Sequence, residues 1–283
     1  MDATADGKRE PFHWRTAIAY KTKDKIVVRG YDLNELTGGI SFAEMAYLVW
    51  RGELPSPAHA RMLDAILVSM AEHAFSPSSA ASRLITSGGV PLHVGVAGGL
   101  LAIGSLHGTA DRPAELFKEA VDRMRREGLS LEAAAQAVAG DARRAGRRLP
   151  GFHHPQHIRD PRTARLLELS DRWGVSNQYV AMGRAIEAAT ESFWGRRIYL
   201  NGPGAVGAIC LDLGFDTELI KGVFLLSRTV SLVAHTYEEA RREKGWRGSA
   251  NASIVQPLDL SLQRPEFYDG PPDRPLPGIR KGG

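Results

Sequence analysis

The chain has 283 residues, 43% of them apolar and 24% charged, which is enough for one large domain or two modest ones and excludes a disordered chain. Its 36 Lys and Arg against 32 Asp and Glu leave a formal charge of only +4. One cysteine, Cys210, excludes a disulfide framework and every multi-cysteine zinc or iron–sulfur pattern.

Residues 1–11 are polar and carry both signs of charge, without the apolar stretch of a secretory signal. The alternating run Lys25 to Tyr31 predicts a strand and turn. Ser41, with Glu44 three residues on, opens a capped helix whose apolar face is Met45, Leu48 and Val49 and which ends near Arg51-Gly52. Leu54-Pro55-Ser56-Pro57 punctuates before an amphipathic run from Met62 to Met70. Further helices are expected over 78–86, 93–103, 114–127, 131–145, 164–173, 178–190, 204–213 and 218–243, so the fold class is all-α.

Within 93–103, Gly95 and Gly99, and Gly98 and Ala102, stand four apart on one helix face, which lets another helix approach closely at the protein's centre or at a subunit interface. The longest apolar run, Val90 to Leu106, falls short of the roughly 20 residues a spanning helix needs. No membrane partner is expected, and a reducing, cytoplasmic setting is. From about residue 250 a Pro- and Gly-rich tail is expected to be extended, and Phe267 and Tyr268 favour its wrapping a surface.

Positive charge falls in runs: Arg123, Arg125 and Arg126; Arg143, Arg144, Arg147 and Arg148; Arg241, Arg242 and Lys244. Such runs read first as solvated helix faces and second as holders of an anionic ligand such as a phosphorylated cofactor. No nucleic-acid-binding motif accompanies them, so none is expected as a partner.

Three of the nine histidines lie in Gly/Pro punctuation at the ends of predicted helices: His73 before Ser76-Pro77, His107 in Leu106-His107-Gly108, and His154 in Gly151-Phe152-His153-His154-Pro155. Each alone reads as a turn histidine. Together, near basic residues, they offer proton transfer near neutral pH beside guanidiniums that hold carboxylates. No histidine pair has metal-ligand spacing on one helix, so no metal is expected.

These residues carry a resemblance. The stretch from Ile26 to Pro55 with Arg29-Gly30-Tyr31-Asp32-Leu33, the segments around His73, His107 and His154, and Asp160-Pro161-Arg162 resemble the citrate synthase superfamily. Asn201 with Leu211-Asp212-Leu213-Gly214-Phe215, and Tyr268-Asp269-Gly270-Pro271-Pro272, are most similar to its citryl-CoA lyase branch.

The resemblance implies a helical homodimer whose large domain is built from residues 1–110 and 206–283 and whose smaller domain, 111–205, is inserted between them. A coenzyme A thioester and a carboxylic acid would meet in the cleft. His73 and His154 would bind the oxo-acid half, His154 taking the hydroxyl proton. His107 would hydrogen-bond the thioester oxygen as it becomes enolate-like, and Arg162 and Arg228 would hold carboxylate. Arg159 would contact a cofactor phosphate, and Gly151, Phe152 and His153 would line the cofactor site. Arg247 or Arg264 would reach a partner subunit.

Two positions depart from the pattern. Where the family places an aspartate two residues after the matched Asn201, this chain has Pro203, which has no titratable group. Where the family has a loop glycine, it has His153; with His157 it is the titratable candidate nearest in sequence for replacing the lost acid, the alternative being that both are inert. The expected function is a carbon–carbon lyase cleaving a β-hydroxyacyl-CoA or a similarly activated acid. The alternatives are a diverged enzyme on a non-CoA substrate and a non-catalytic acid- or acyl-CoA-binding homologue.

Overall fold

The computed structural model describes residues 15–108, 110–153 and 158–247. Three short strands come first: β1 (Ala19–Lys21), β2 (Ile26–Val28) and β3 (Tyr31–Asp32) form an antiparallel sheet in that order. The segment read as one strand and turn is two strands joined at Arg29 (φ 49°) and Gly30 (φ 92°), a left-handed pair that suits a tight hairpin. The β1 strand, paired through Ala19 with Val28, carries no alternation that marks it in the sequence.

The rest of the described chain is helical: α1 (Leu33–Leu36), α2 (Phe42–Arg51), α3 (Pro57–Met70), α4 (Pro77–Thr86), α5 (Leu92–Leu101), α6 (Asp111–Glu127), α7 (Leu131–Arg144), α8 (Pro161–Arg172), α9 (Gln178–Trp194), α10 (Gly202–Asp212) and α11 (Thr217–Arg242). Ser41 and Glu44 close the expected capping box on α2.

Helices α3, α4, α8 and α10 begin earlier than expected, for one reason. Each has proline in its first turn, where the missing N–H is no loss, behind a cap residue: Ser56, Ser76, Asp160 and Asn201. Helix α9 runs a turn past its expected end, to the left-handed cap Gly195.

Helix α10 is buried along nearly its whole length and packs on α6, α8 and α9. The core around it includes Met62, Leu63, Ile66, Met70, Phe117, Leu166, Met182, Ile186, Ile209 and Leu213. Helix α11 is long and apolar enough to cross a membrane by length and composition alone. It lies against α3, α4, α5 and α6 and buries Arg228, Thr236 and Glu239 within the protein.

A side chain on Gly95 of α5 would run into Thr86 at 2.3 Å and Thr236 at 2.9 Å, so the small-residue face lets α4 and α11 close on α5. The opposite face, with Val94 and Leu101, is exposed, Leu101 at 87%.

Near the end of α11, buried Glu239 is held between Arg83 (2.8 Å) and Arg247 (2.5 Å), and Arg247 also pairs with Glu243. Arg247 is thus paired with two carboxylates of its own chain. Arg264, the aromatic pair and the extended tail lie outside the described residues, as do residues 1–11.

Candidate active site: two histidines, two arginines and a cationic cleft

The last turn of α3 and the loop into α4 form one wall. Met70 ends α3, and its carbonyl accepts a bond from Arg228 Nη2 (3.1 Å), a cation placed where a helix C-terminus favours one. Arg228 Nη1 donates to Ser76 Oγ (3.2 Å), and its guanidinium lies over the Phe224 ring at 5.2 Å. Arg228 is 2% exposed, and its Nε–H has no hydrogen-bond partner among the described residues. Burial pushes its pKa down; the Glu72 carboxylate opposes this, and Arg162 adds to it.

His107 follows α5 in a tight turn closed by Gly104 and faces the same wall. Its Nε2 lies 2.8 Å from Ser78 Oγ, and Ser78 Oγ lies 3.2 Å from Ser76 Oγ, so a chain of hydroxyls joins His107 to Arg228. Phe224 meets the His107 ring edge-on at 6.0 Å. Burial, Arg228 and His73 all push the His107 pKa below 6.5, in that order of size. The imidazole is thus neutral at pH 7 and able to donate one N–H bond to a developing oxyanion. His73 sits half-buried in the loop between α3 and α4, close enough for its charge to act on His107.

Arg162 enters from the start of α8. Its Nε and Nη2 make a two-pronged contact with Asp160, at 2.9 and 2.7 Å, while Nη1 lies 3.9 Å from Met70 Sδ. Asp160 also accepts the N–H of Gly202 at 2.9 Å. Burial raises the Asp160 pKa, but the bonds from Arg162 and Gly202 and the arginine's charge outweigh that and hold it at about 2.

The loop at 151–153 and the start of α10 are zipped together. The His153 N–H donates to Tyr199 O (2.8 Å), Asn201 N–H to Gly151 O (2.9 Å), and Asn201 Nδ2 to His153 O (2.7 Å). Gly151 and Gly204 touch so closely that a Cβ on Gly204 would meet Gly151 O at 2.3 Å. His153 adopts φ 66°, the left-handed conformation that glycine adopts without strain. Pro203 is the second residue of α10, where the helix asks for no N–H.

Gly151, Phe152 and His153 line a cleft of about 650 Å³ together with Ser105, Leu106, Trp194 and five arginines: Arg112, Arg143, Arg147, Arg148 and Arg196. Part of the second basic run is thus a cleft wall, whereas Arg144 pairs with Asp141, and Arg123 with Glu127 and Asp141, as solvated faces do. Arg159 is not in that wall; it stacks on Tyr199 at 4.2 Å and donates to its hydroxyl at 2.9 Å.

His73, His107, Arg162 and Arg228 are therefore brought together. Gly151, Phe152 and His153 stand on the adjoining cleft, Arg159 is set apart, and His154 and His157 lie outside the described residues. Sequence reasoning gave no role to Ser76, Ser78 or Asp160, and did not single out Arg112 and Arg196. Among the described residues no group of three His, Cys, Asp or Glu is placed to hold a metal.

Neutral imidazole, guanidiniums and an arginine-rich cleft are groups whose chemistry suits carboxylate-bearing, polyanionic ligands. The family profile described as citrate synthase, C-terminal domain, matches residues 50–249, and the chain belongs to the citrate synthase family. The solved citryl-CoA lyase from Hydrogenobacter thermophilus is similar at 33% identity and a TM-score of 0.81, over 93% of this chain and 97% of that one. The ATP citrate lyase of Methanosaeta concilii, solved with (3S)-citryl-CoA, shares the fold at 20% identity and a TM-score of 0.70, over 92% of this chain and 44% of that one. The 2-methylcitrate synthase of Shewanella oneidensis is 27% identical over 210 residues, 73% of this chain and 54% of that protein. A curated relative from Mycobacterium tuberculosis, 30% identical over 239 residues covering 78% of this chain, is likewise matched over only 57% of its length.

Proposed function

We propose that this protein is a carbon–carbon lyase of the citryl-CoA lyase type, cleaving a β-hydroxyacyl-CoA to an acyl-CoA and an oxo acid. The observation that carries the reading is the placement of a neutral His107, with His73, Arg162 and Arg228, on the side of a five-arginine cleft. Arg228, with its spare buried N–H, holds the substrate carboxylate, and Arg162 supports it. His107 donates to the thioester oxygen as the enolate forms. The cleft arginines take the cofactor's phosphates, as charge-assisted bonds to guanidinium favour. The likeness to the citryl-CoA lyase of Hydrogenobacter thermophilus over nearly the full length of both chains supports the same reaction class.

The test is incubation of the purified protein with citryl-CoA, following release of acetyl-CoA. Cleavage is expected, with acetyl-CoA released above the buffer control. No turnover above buffer on citryl-CoA and close analogues would remove the lyase reading.

A second reading has its own observation, Pro203: a non-catalytic homologue that binds an acid or acyl-CoA. It predicts binding by calorimetry with no turnover. A diverged enzyme on a non-CoA substrate predicts carboxylate binding without CoA binding. We further propose that the exposed apolar face of α5 is covered by a second copy of the chain, in keeping with the homodimer implied by the family resemblance, and that the protein is cytoplasmic.

A further inference from the structure

We propose that His153 is the proton-transfer residue of this site, standing in for the carboxylate that Pro203 displaces; the inference rests on the lyase reading above. Its backbone is fixed on both sides, by the bond from its N–H to Tyr199 O and the bond its carbonyl accepts from Asn201 Nδ2. Asn201 is two residues before Pro203, so His153 is tied to the turn from which the acid is missing. Its position faces the cleft alongside Ser105 and Leu106, the residues that lead into His107. Its left-handed backbone is strained for an L-residue, and such strain persists where the surroundings over-determine it and often marks a functional position.

The carboxylates bonded to this turn are committed elsewhere. Asp160 is held as an anion by Arg162 and the Gly202 N–H, and Glu187 accepts the Leu200 N–H at 2.8 Å. An imidazole at 153 supplies what they do not, a side chain whose ring nitrogens can both donate and accept a proton.

In cleavage, the C2–C3 bond of the β-hydroxyacyl thioester breaks and its electron pair passes to the thioester carbonyl as an enolate held by His107. The hydroxyl oxygen becomes the oxo acid's carbonyl, and its proton leaves to a base. The His153 imidazolium delivers a proton to C2, giving the acyl thioester, and the neutral imidazole is recharged by the proton released from the hydroxyl. No net proton or electron is gained or lost.

The test is His153→Gly, which restores the family's loop residue and relieves the backbone, so the variant is expected to fold. Two rates are followed in the full chain: citryl-CoA cleavage, and exchange of acetyl-CoA methyl protons with D2O by NMR. Both are expected to fall by about 10²-fold or more and to be restored by millimolar imidazole, with the wild-type pH dependence near neutrality lost. Rates equal to or above wild type overturn the inference and leave the lyase reading standing. So does a fall that imidazole does not relieve and that follows weaker CoA binding by calorimetry. A wild-type protein that neither cleaves nor exchanges removes the lyase reading itself, and the inference with it.

Discussion

Asp160 shows how one carboxyl holds two elements at the site. Its pKa of about 2 against an ordinary 3.8 means the folded state prefers the anion, by about 2 kcal/mol. That stability is present in full above the unfolded value, from about pH 5 upward, and is lost as pH falls toward 2. Asp160→Asn is expected to cost about 2–4 kcal/mol at pH 7, because it strips a half-buried arginine of its counter-charge. Urea midpoints should show the gap from wild type shrinking between pH 5 and pH 2.5.

His107 works in the opposite window. Its folded pKa lies below 6.5, so protonation on acidification opposes the fold, and an NMR titration should place its midpoint below that of an exposed histidine. His107→Ala is expected to cut cleavage by about 10²- to 10³-fold while leaving CoA binding nearly unchanged. His73, His107, Arg162 and Arg228 were legible in the sequence because each stands in a short ordered motif. Ser78 was not, because a buried hydroxyl becomes a partner only when the fold brings a histidine from 29 residues away to within 2.8 Å.

At the scale of elements, the fold class and helix order followed from apolar spacing and Gly/Pro punctuation, while helix starts were misplaced wherever proline served as the first turn instead of a break. A second feature hidden from periodicity is the cap of α9. Asn177 makes no side-chain cap; Asp212, at the end of α10, accepts the N–H groups of Asn177, Tyr179 and Val180 at 2.8, 3.1 and 3.0 Å. Nothing local to residues 177–180 signals this partner. Asp212→Ala should leave three N–H groups without their acceptor and lower stability by about 1–3 kcal/mol in thermal or denaturant unfolding. Pro203→Asp makes an instructive contrast. It loses the rigidity of proline but places a negative charge in the first turn of α10, two effects of about 0.5–1 kcal/mol that oppose each other. Its melting temperature should stay near that of wild type while citryl-CoA cleavage rises.

The whole molecule keeps one helix half in the core and half outside. Helix α5 buries its glycine face against α4 and α11 and presents Val94 and Leu101 outward. Sedimentation equilibrium is expected to give a dimer, and Leu101→Asp a monomer with its secondary structure intact; a monomeric wild type would end the proposal that a second copy covers this face. The cationic cleft shows why charge runs resist reading from sequence: Arg112, Arg143 and Arg196 reach one wall from three separate helical regions, while Arg144, next in the chain, pairs on the surface.

The turn at Pro203 separates anchorage from chemistry. Gly202 gives its N–H to Asp160 and Gly204 gives its own to Asn201, so neither of these bonds depends on the side chain between them. A substitution at 203 therefore changes the group offered at the mouth of α10 while both bonds that fasten the helix start stay in place.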